Sequence, residues 1–307
     1  RTAAPLVYIG LLLLGLLFIS PIAFMVAGSF KPDARVLMEA GEWRAFWPAQ
    51  MSFQNYRDVF ARVDFARFLW NSLFINGAIV GVGLLVNALA GYAFARMAWR
   101  GRDLLLSLVV AVMIIPVEAI AVPLFYLVSL FGWRDTYLVQ ILPFVANAFS
   151  IYLFYTYFIG MPRELEEAAR IDGAGVLRTF FSVIMPNAKA VFASVAILTF
   201  LAQWGAFLWP LMVTSSEHVR PLPLAIATFH GLPPLRWGDI FAFGMMMVVP
   251  VLLVFLLFQP WFVRGVAASG IAVSDCPGTM AFTRTLCGAH SSASDFVSDR
   301  MAAFVHA

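Results

Sequence analysis

The sequence predicts an all-α integral membrane protein: six transmembrane helices, with a charged helix–turn–helix between the fourth and the fifth. Three observations carry this. Of 307 residues, 62% are hydrophobic and 12% charged, with a mean hydropathy of +0.87, outside the range of ordinary soluble domains. Six apolar runs each supply the roughly 20 residues that a spanning helix needs, and none alternates as a barrel strand would. Between two of them stands Met161–Pro186, which concentrates Arg163, Glu164, Glu166, Glu167, Arg170, Asp172 and Arg178 in an otherwise weakly charged chain.

The first run, Pro5–Phe30, follows Arg1 and ends on the small residues Ala27–Ser29, as a secretory leader can. Its length and the spans beyond it favour an uncleaved first helix. The others are Trp70–Ala95, Leu104–Phe131, Thr136–Gly160, Ala188–Val213 and Asp239–Phe262, with Trp70, Trp99, Trp133 and Trp261 at their ends as interfacial aromatics. The first loop, Lys31–Arg67, is too long for a simple connection. Ser52 is placed to cap an interfacial helix with Phe53, Tyr56, Phe60 and Val63 on one face. Between the last two spans, Thr214–Gly238 is stiffened by Pro221, Pro223, Pro233 and Pro234. From Ser269 the composition turns to Ser, Ala, Asp and Thr. Residues 1–270 are therefore expected to form the transmembrane domain and residues 271–307 a disordered tail.

Within Met161–Pro186, Pro162 suits a first helical position, and Glu164, Glu166 and Glu167 favour the positive end of the helix dipole. Glu166 and Arg170 are spaced for an i,i+4 pair. Gly173 is placed to end the helix in the left-handed region. A second short helix follows, with Val176, Phe180, Val183 and Ile184 as its apolar stripe and Pro186 as its close.

Glu167-Ala168-Ala169, Asp172-Gly173-Ala174, and then Phe181, Ile184 and Pro186 fix residue types across positions 167 to 186. This pattern resembles the EAA loop of permease subunits in binding-protein-dependent ABC importers, and the chain looks like the smaller, six-helix member of the maltose-type carbohydrate permeases. Met185 stands where the family usually has Leu, a volume-conserving change. The resemblance covers about residues 5–270. It implies that the loop is a cytoplasmic coupling helix, with Glu167, Ala168, Ala169, Asp172, Gly173, Ala174, Phe181 and Pro186 docking on an ATP-binding subunit. The partners it implies are a dimer of that subunit, a second permease subunit, an extracytoplasmic substrate-binding protein and membrane lipid, with no nucleic acid. ATP and Mg belong to the ATP-binding subunit; this chain is expected to bind no cofactor and to catalyse no bond change, and it holds no phosphate-cradling Gly-Lys-Ser loop.

The resemblance places the chain in the bacterial plasma (inner) membrane, multi-pass, with both termini cytoplasmic. Basic residues then divide nine inside and nine outside, which is neutral; setting aside the six in Lys31–Arg67 leaves nine against three, in the expected sense.

Glu118 is the ionisable residue deep in a span, between Pro116 and Pro123, which free backbone carbonyls. It is either a polar group on the translocation path or a protonated or bridging residue that pins helices. Gln203 and Trp204 suit a sugar, whose ring faces stack on aromatics and whose hydroxyls need amides; the family has Trp-Asn where Trp204-Gly205 stands. Asn147 is a further pathway candidate, although Asn76, Asn87 and Asn147 equally serve to bond helix to helix. Trp209 reads as an interfacial anchor. Apart from Lys189 at the inner edge of the fifth span, no Lys or Arg lies between the membrane boundaries, which favours a neutral carbohydrate. Pro116-Val117-Glu118, shared with the glycerol-phosphate branch of the family, keeps glycerol phosphate or a glycerophosphodiester as the alternative. A secondary transporter should show internal repeats and paired intramembrane charges, and a membrane enzyme a cluster of polar residues at one depth. Neither pattern is visible. His218, His230, His290 and His306, with Cys276 and Cys287, form no strong metal-ligand spacing.

Overall fold

In a computed structural model that describes residues 3–271, every regular element is a helix. Helix α1 (Ala3–Ser29) is mostly exposed from Val7 to Ile22, half-buried from Ala23 to Val26, and buried at Ala27, Gly28 and Ser29. The first loop then folds into α2 (Asp33–Met38), a 3-10 turn at Trp43–Phe46, and α3 (Gln54–Arg62). Its centre is Lys31, whose buried ammonium has three donors and three partners. They are the Glu39 carboxylate at 2.9 Å and the carbonyls of Arg44 and Ala45. Ser52 accepts from the Gln54 N–H at 3.1 Å but stands one residue ahead of the N-cap position, which Phe53 holds. The buried face of α3, however, is Asn55 and Val59, while Phe53 and Phe60 are exposed. Phe53 and Phe60 stay on the outer face, where an interfacial helix would carry them, and Asn55 turns inward. Its amide donates to the carbonyls of Ser29 and Lys31, at 2.8 and 2.7 Å, at the end of α1, where helical partners have run out.

Helix α4 (Phe65–Arg96) is the axis on which the others pack. Asp64 caps it by accepting from the Arg67 N–H. Its buried ridge includes Ser72, Asn76, Gly83, Asn87, Ala88, Gly91 and Ala95, a helical repeat of small and polar residues. Small residues let membrane helices approach backbone to backbone. A Cβ built on Gly91 would lie 2.6 Å from the Phe154 Cβ and 2.9 Å from the Tyr155 amide nitrogen, so the crossing there depends on glycine.

The third predicted span divides into α5 (Arg102–Val112) and α6 (Val117–Leu130), bent by 104°. Pro116 causes this, because it pushes the residue before it out of the helical region and itself sits at ψ 141. The fourth span comprises α7 (Tyr137–Val145) and α8 (Ala148–Ile159), interrupted at Ala146-Asn147. After it come α9 (Glu164–Ile171), α10 (Val176–Thr179), a π-helical turn at Phe180–Ile184, and α11 (Met185–Asn187). Pro186 therefore does not close the second loop helix. The chain continues to Asn187, bends by 81° at Ala188, and enters α12 (Lys189–Trp204). A proline that removes one ladder bond, next to a π turn, is an ordinary cause of such a bend. The fifth predicted span also stops early, with α13 (Leu208–Val213) beyond a break at Gly205. Helix α14 (Leu222–His230) and helix α15 (Trp237–Ile271) complete the described chain; the predicted disordered tail lies outside the described residues. Among the described residues, α1, α4, α15 and the α7–α8 stretch are long and apolar enough to cross a membrane, and six spans result if each of the two bent pairs counts as one.

The loop before α15 is tied to α3. Arg62 pairs with the fully buried Asp239 at 2.8 Å, donates to the carbonyls of Leu232 and Pro234, and stacks over Phe229 at 4.8 Å. Arg236 reaches Asp58 at 2.7 Å. Between α6 and α7, Asp135 accepts from the N–H groups of Ser215 and Ser216, each at 2.9 Å. Burial opposes its ionisation, but these donors outweigh burial and hold the carboxyl below its usual range.

The α4–α8 crossing gives a direct prediction. Gly91→Leu should force these helices apart and cost about 1–3 kcal/mol or more, whereas Gly81→Leu, with nothing within 4 Å of its Cβ, should not. Thermal unfolding in detergent checks this. Equal melting temperatures for the two variants would contradict the packing described.

Candidate functional site

The loop between α8 and α12 is built as a projecting wedge. Its first helix, α9, ends in a Schellman closure: the Ala174 N–H donates to the Ala169 carbonyl at 2.9 Å and the Gly173 N–H to that of Arg170 at 3.0 Å. Gly173 is at φ +75, the left-handed region that its sequence position predicts. A Cβ there would meet nothing within 4 Å, so the constraint is the backbone and not space.

Inward, Phe180 and Ile184 are buried in a cluster with Tyr92, Phe154 and Phe158. Val176, expected on that buried stripe, is exposed instead, and Thr179 takes the inward position in that turn. Outward, the wedge presents Ile171 at 86% exposure with Leu177, Phe181 and Met185, an apolar group that nothing in the chain covers among the described residues. Glu167, Ala168, Asp172, Gly173 and Pro186 are also exposed, whereas Ala169 is buried and Ala174 half-buried. Glu167 makes no ion pair among the described residues.

Glu166 does not pair with Arg170 as its spacing suggested. It turns inward and meets Arg96, at the end of α4, with Nε 3.1 Å from Oε1; the two side chains are 5% and 9% exposed. A second Arg96 nitrogen donates to the Met161 carbonyl. Removing one member of so buried a pair leaves the other unpaired, at a cost of about 3–5 kcal/mol. Arg96 was legible in the sequence only as one more basic residue on the inner side.

The pathway candidates separate. Trp204 is 4% exposed, stacks on Phe200 at 5.1 Å and donates its indole N–H to the Met247 carbonyl. One ring face and the polar handle are used inside the chain, and Trp204 also lines the cavity that Gln203 lines. Asn147 is exposed; its side-chain oxygen caps α8 by accepting from the Ser150 N–H at 3.0 Å, while its own N–H donates to Asn87. Trp209 is no interfacial anchor: it is buried and donates to the Val139 carbonyl at 2.9 Å.

Gln203 is half-buried, with no side-chain hydrogen bond among the described residues. It lines a cavity of about 20 Å³ with Ser72, Asn76 and Gln140. Glu118 lies in the first turn of α6, just past the bend, exposed and without a partner in the described chain. That removes the reading in which it pins helices of this chain together. No group of three His, Cys, Asp or Glu side chains able to hold a metal occurs among the described residues.

Comparison with known proteins fits this geometry. The family described as binding-protein-dependent transport system inner membrane component matches residues 83–268. The arabinooligosaccharides transport system permease protein AraQ of Halalkalibacterium halodurans is 31% identical over 267 residues, which cover 87% of this chain and 95% of that one. The sn-glycerol-3-phosphate transport system permease protein UgpE of Yersinia enterocolitica is 32% identical over 207 residues, covering 67% and 74%. A crystal structure of a bacterial ABC transporter involved in import of the acidic polysaccharide alginate shares the fold, with a TM-score of 0.75 at 24% identity over 85% of this chain and 98% of its counterpart. With more than half of its length matched by the family, the chain belongs to the binding-protein-dependent transport system inner membrane components, the permease subunits of ABC importers.

Proposed function

We propose that this permease forms half of the translocation path for a carbohydrate and takes its drive from an ATP-binding subunit docked on the Met161–Pro186 wedge. The observation that carries the coupling role is the outward apolar group of Ile171, Leu177, Phe181 and Met185 beside the unpaired Glu167. A soluble ATP-binding subunit with an apolar cleft and a basic group at its rim is the chemistry that would cover it. On this reading the loop and both termini are cytoplasmic, in a bacterial plasma membrane. ATP and Mg are held by the docked subunit. A second permease completes the path, and an extracytoplasmic binding protein delivers substrate. Closure of the ATP-binding subunits moves the wedge and switches the path from inward- to outward-facing.

A carbohydrate is supported by the relative named for arabinooligosaccharides and by spans that bring no Lys or Arg to the bilayer interior. Glu118 and Gln203, whose side chains are unspent, are the pathway residues on this reading. The relative named for sn-glycerol-3-phosphate supports a second reading, glycerol phosphate, for which the countercharge would come from the partner permease. ATPase stimulation in the purified complex decides between them, with an oligosaccharide or glycerol phosphate supplied through the binding protein. Stimulation by glycerol phosphate alone would overturn the carbohydrate reading.

Gly173→Val strains a left-handed position by about 1–2 kcal/mol, which should cut productive docking by about 5–30-fold. Glu167→Lys should uncouple by reversing the interface charge. Both variants should insert and pair with the second permease, because neither touches a span. Uptake in reconstituted vesicles, with pull-down of the ATP-binding subunit, tests this; normal uptake with that subunit still bound would sink the coupling assignment.

Glu118→Ala and Gln203→Ala should each lower uptake by about tenfold, the loss of one charge-assisted or two neutral hydrogen bonds, with membrane levels unchanged. Failure of both proteins to accumulate would return these residues to a structural role.

A further inference from the structure

We infer that Arg96 and Glu166 are positioning residues that yoke the coupling wedge to α4, so that movement of the docked loop is delivered to the central span as well as to the two spans that flank the loop. The inference rests on the coupling role proposed above for Met161–Pro186.

The later part of the wedge already packs on α4, through Phe180 and Ile184 against Tyr92, but its first helix, α9, has no comparable apolar contact with α4 among the described residues. Arg96 supplies the link. It ends α4, where a cation is favoured by the helix dipole. From there it holds the loop at two points: the Met161 carbonyl ahead of α9 and the Glu166 carboxylate within it. Glu166 in turn sits in the acidic first turn of α9, the favoured end for an anion. The hydrogen bond to Met161 and the ion contact with Glu166 together fix the position of α9 relative to α4. Burial strengthens the link, since at 5% and 9% exposure neither charge can be satisfied by bulk water if the helices part.

The surroundings leave this link little help. A cavity of about 130 Å³ opens beside the pair, lined by Tyr92, Glu166, Arg170, Gly175 and Thr179 among others. Between α9 and α4 the joint is thus open, and the close-packed contact with α4 lies further along the loop, at Phe180 against Tyr92. Arg170, spaced to compete for Glu166, is exposed and makes no ion pair among the described residues. A buried ion pair is weak as a source of stability compared with apolar packing, and its attested use is to fix register between helices.

The experiment uses the assembled complex with Cys276 and Cys287 replaced by Ser and one reporter cysteine at a time. Leu177→Cys reports docking by its protection from maleimide. Gly81→Cys, on an open part of α4, reports movement by its change in labelling rate when MgATP and vanadate are added. With the native pair, Leu177→Cys should be protected and Gly81→Cys should respond. In Arg96→Gln and Glu166→Gln the protection should remain while the Gly81→Cys response falls by about fivefold, the size expected for loss of one coupling element. Arg96→Lys, which keeps the charge and its donors, should restore most of it. A full response in the neutral variants with docking intact, or no response with the native pair, would overturn the inference. Absence of Leu177→Cys protection with the native pair would instead bring down the coupling role itself. Should the neutral variants fail to assemble, Glu166→Asp decides, since it keeps the charge but withdraws it by one methylene. A reduced response supports the yoke and an undiminished one refutes it.

Discussion

Inside a bilayer no water is available to a freed backbone group, so every interruption of a spanning helix must be answered by the protein itself. This chain interrupts its spans repeatedly, and the answers come from amides, indoles and hydroxyls. The Asn87 amide donates to the Val145 carbonyl and accepts from the Asn147 N–H, closing the gap between α7 and α8. Trp209 answers the Val139 carbonyl inside α7, where Pro143 has removed a donor. Ser72 accepts from the Leu222 N–H at the start of α14, and Asn71 donates to the carbonyls of His218 and Arg220 just before it. Gln140 does the same for Val219. Several of these groups lie on or against the ridge of α4, which is why that helix can be at once the most closely packed and the most polar face of the molecule.

That economy explains what the sequence discloses and what it hides. Apolar runs and turn chemistry are local, so the spans and the left-handed Gly173 can be read directly from composition and spacing. The use of a polar side chain is not local. Trp204, Trp209 and Asn147 look available in a linear string because the carbonyls and N–H groups that occupy them belong to other segments or to a helix start that composition does not mark. The spacing of Glu166 and Arg170 suggested a surface pair worth a few tenths of a kcal/mol. The long-range partner Arg96 prevails because a buried guanidinium beside the wedge demands a carboxylate far more strongly than solvent-exposed Arg170 does. The Arg62–Asp239 pair escaped notice for the same reason, its members standing 177 positions apart.

The two ends of the molecule are organised by opposite means. At the end where α4 begins, paired charges such as Lys31–Glu39, Arg62–Asp239 and Arg236–Asp58 bind loops to one another. At the wedge, the ions are divided. Glu166 is consumed inward with Arg96, while Glu167, one residue on, faces out beside an uncovered apolar group. One anchors the wedge to its own chain, and the other is free for a partner. An element that must be both held and docked requires this division.

Hydrogen–deuterium exchange across Met161–Asn187, measured with and without the ATP-binding subunit, tests the docking surface most directly. Docking on the exposed face predicts new protection at the amides from Ile171 to Leu177, where the helix end and the turn are open to solvent. The buried Phe180–Ile184 segment should stay protected in both states. Unchanged exchange from Ile171 to Leu177, with the ATP-binding subunit demonstrably bound elsewhere on the permease, would contradict the assignment of this wedge as the coupling surface.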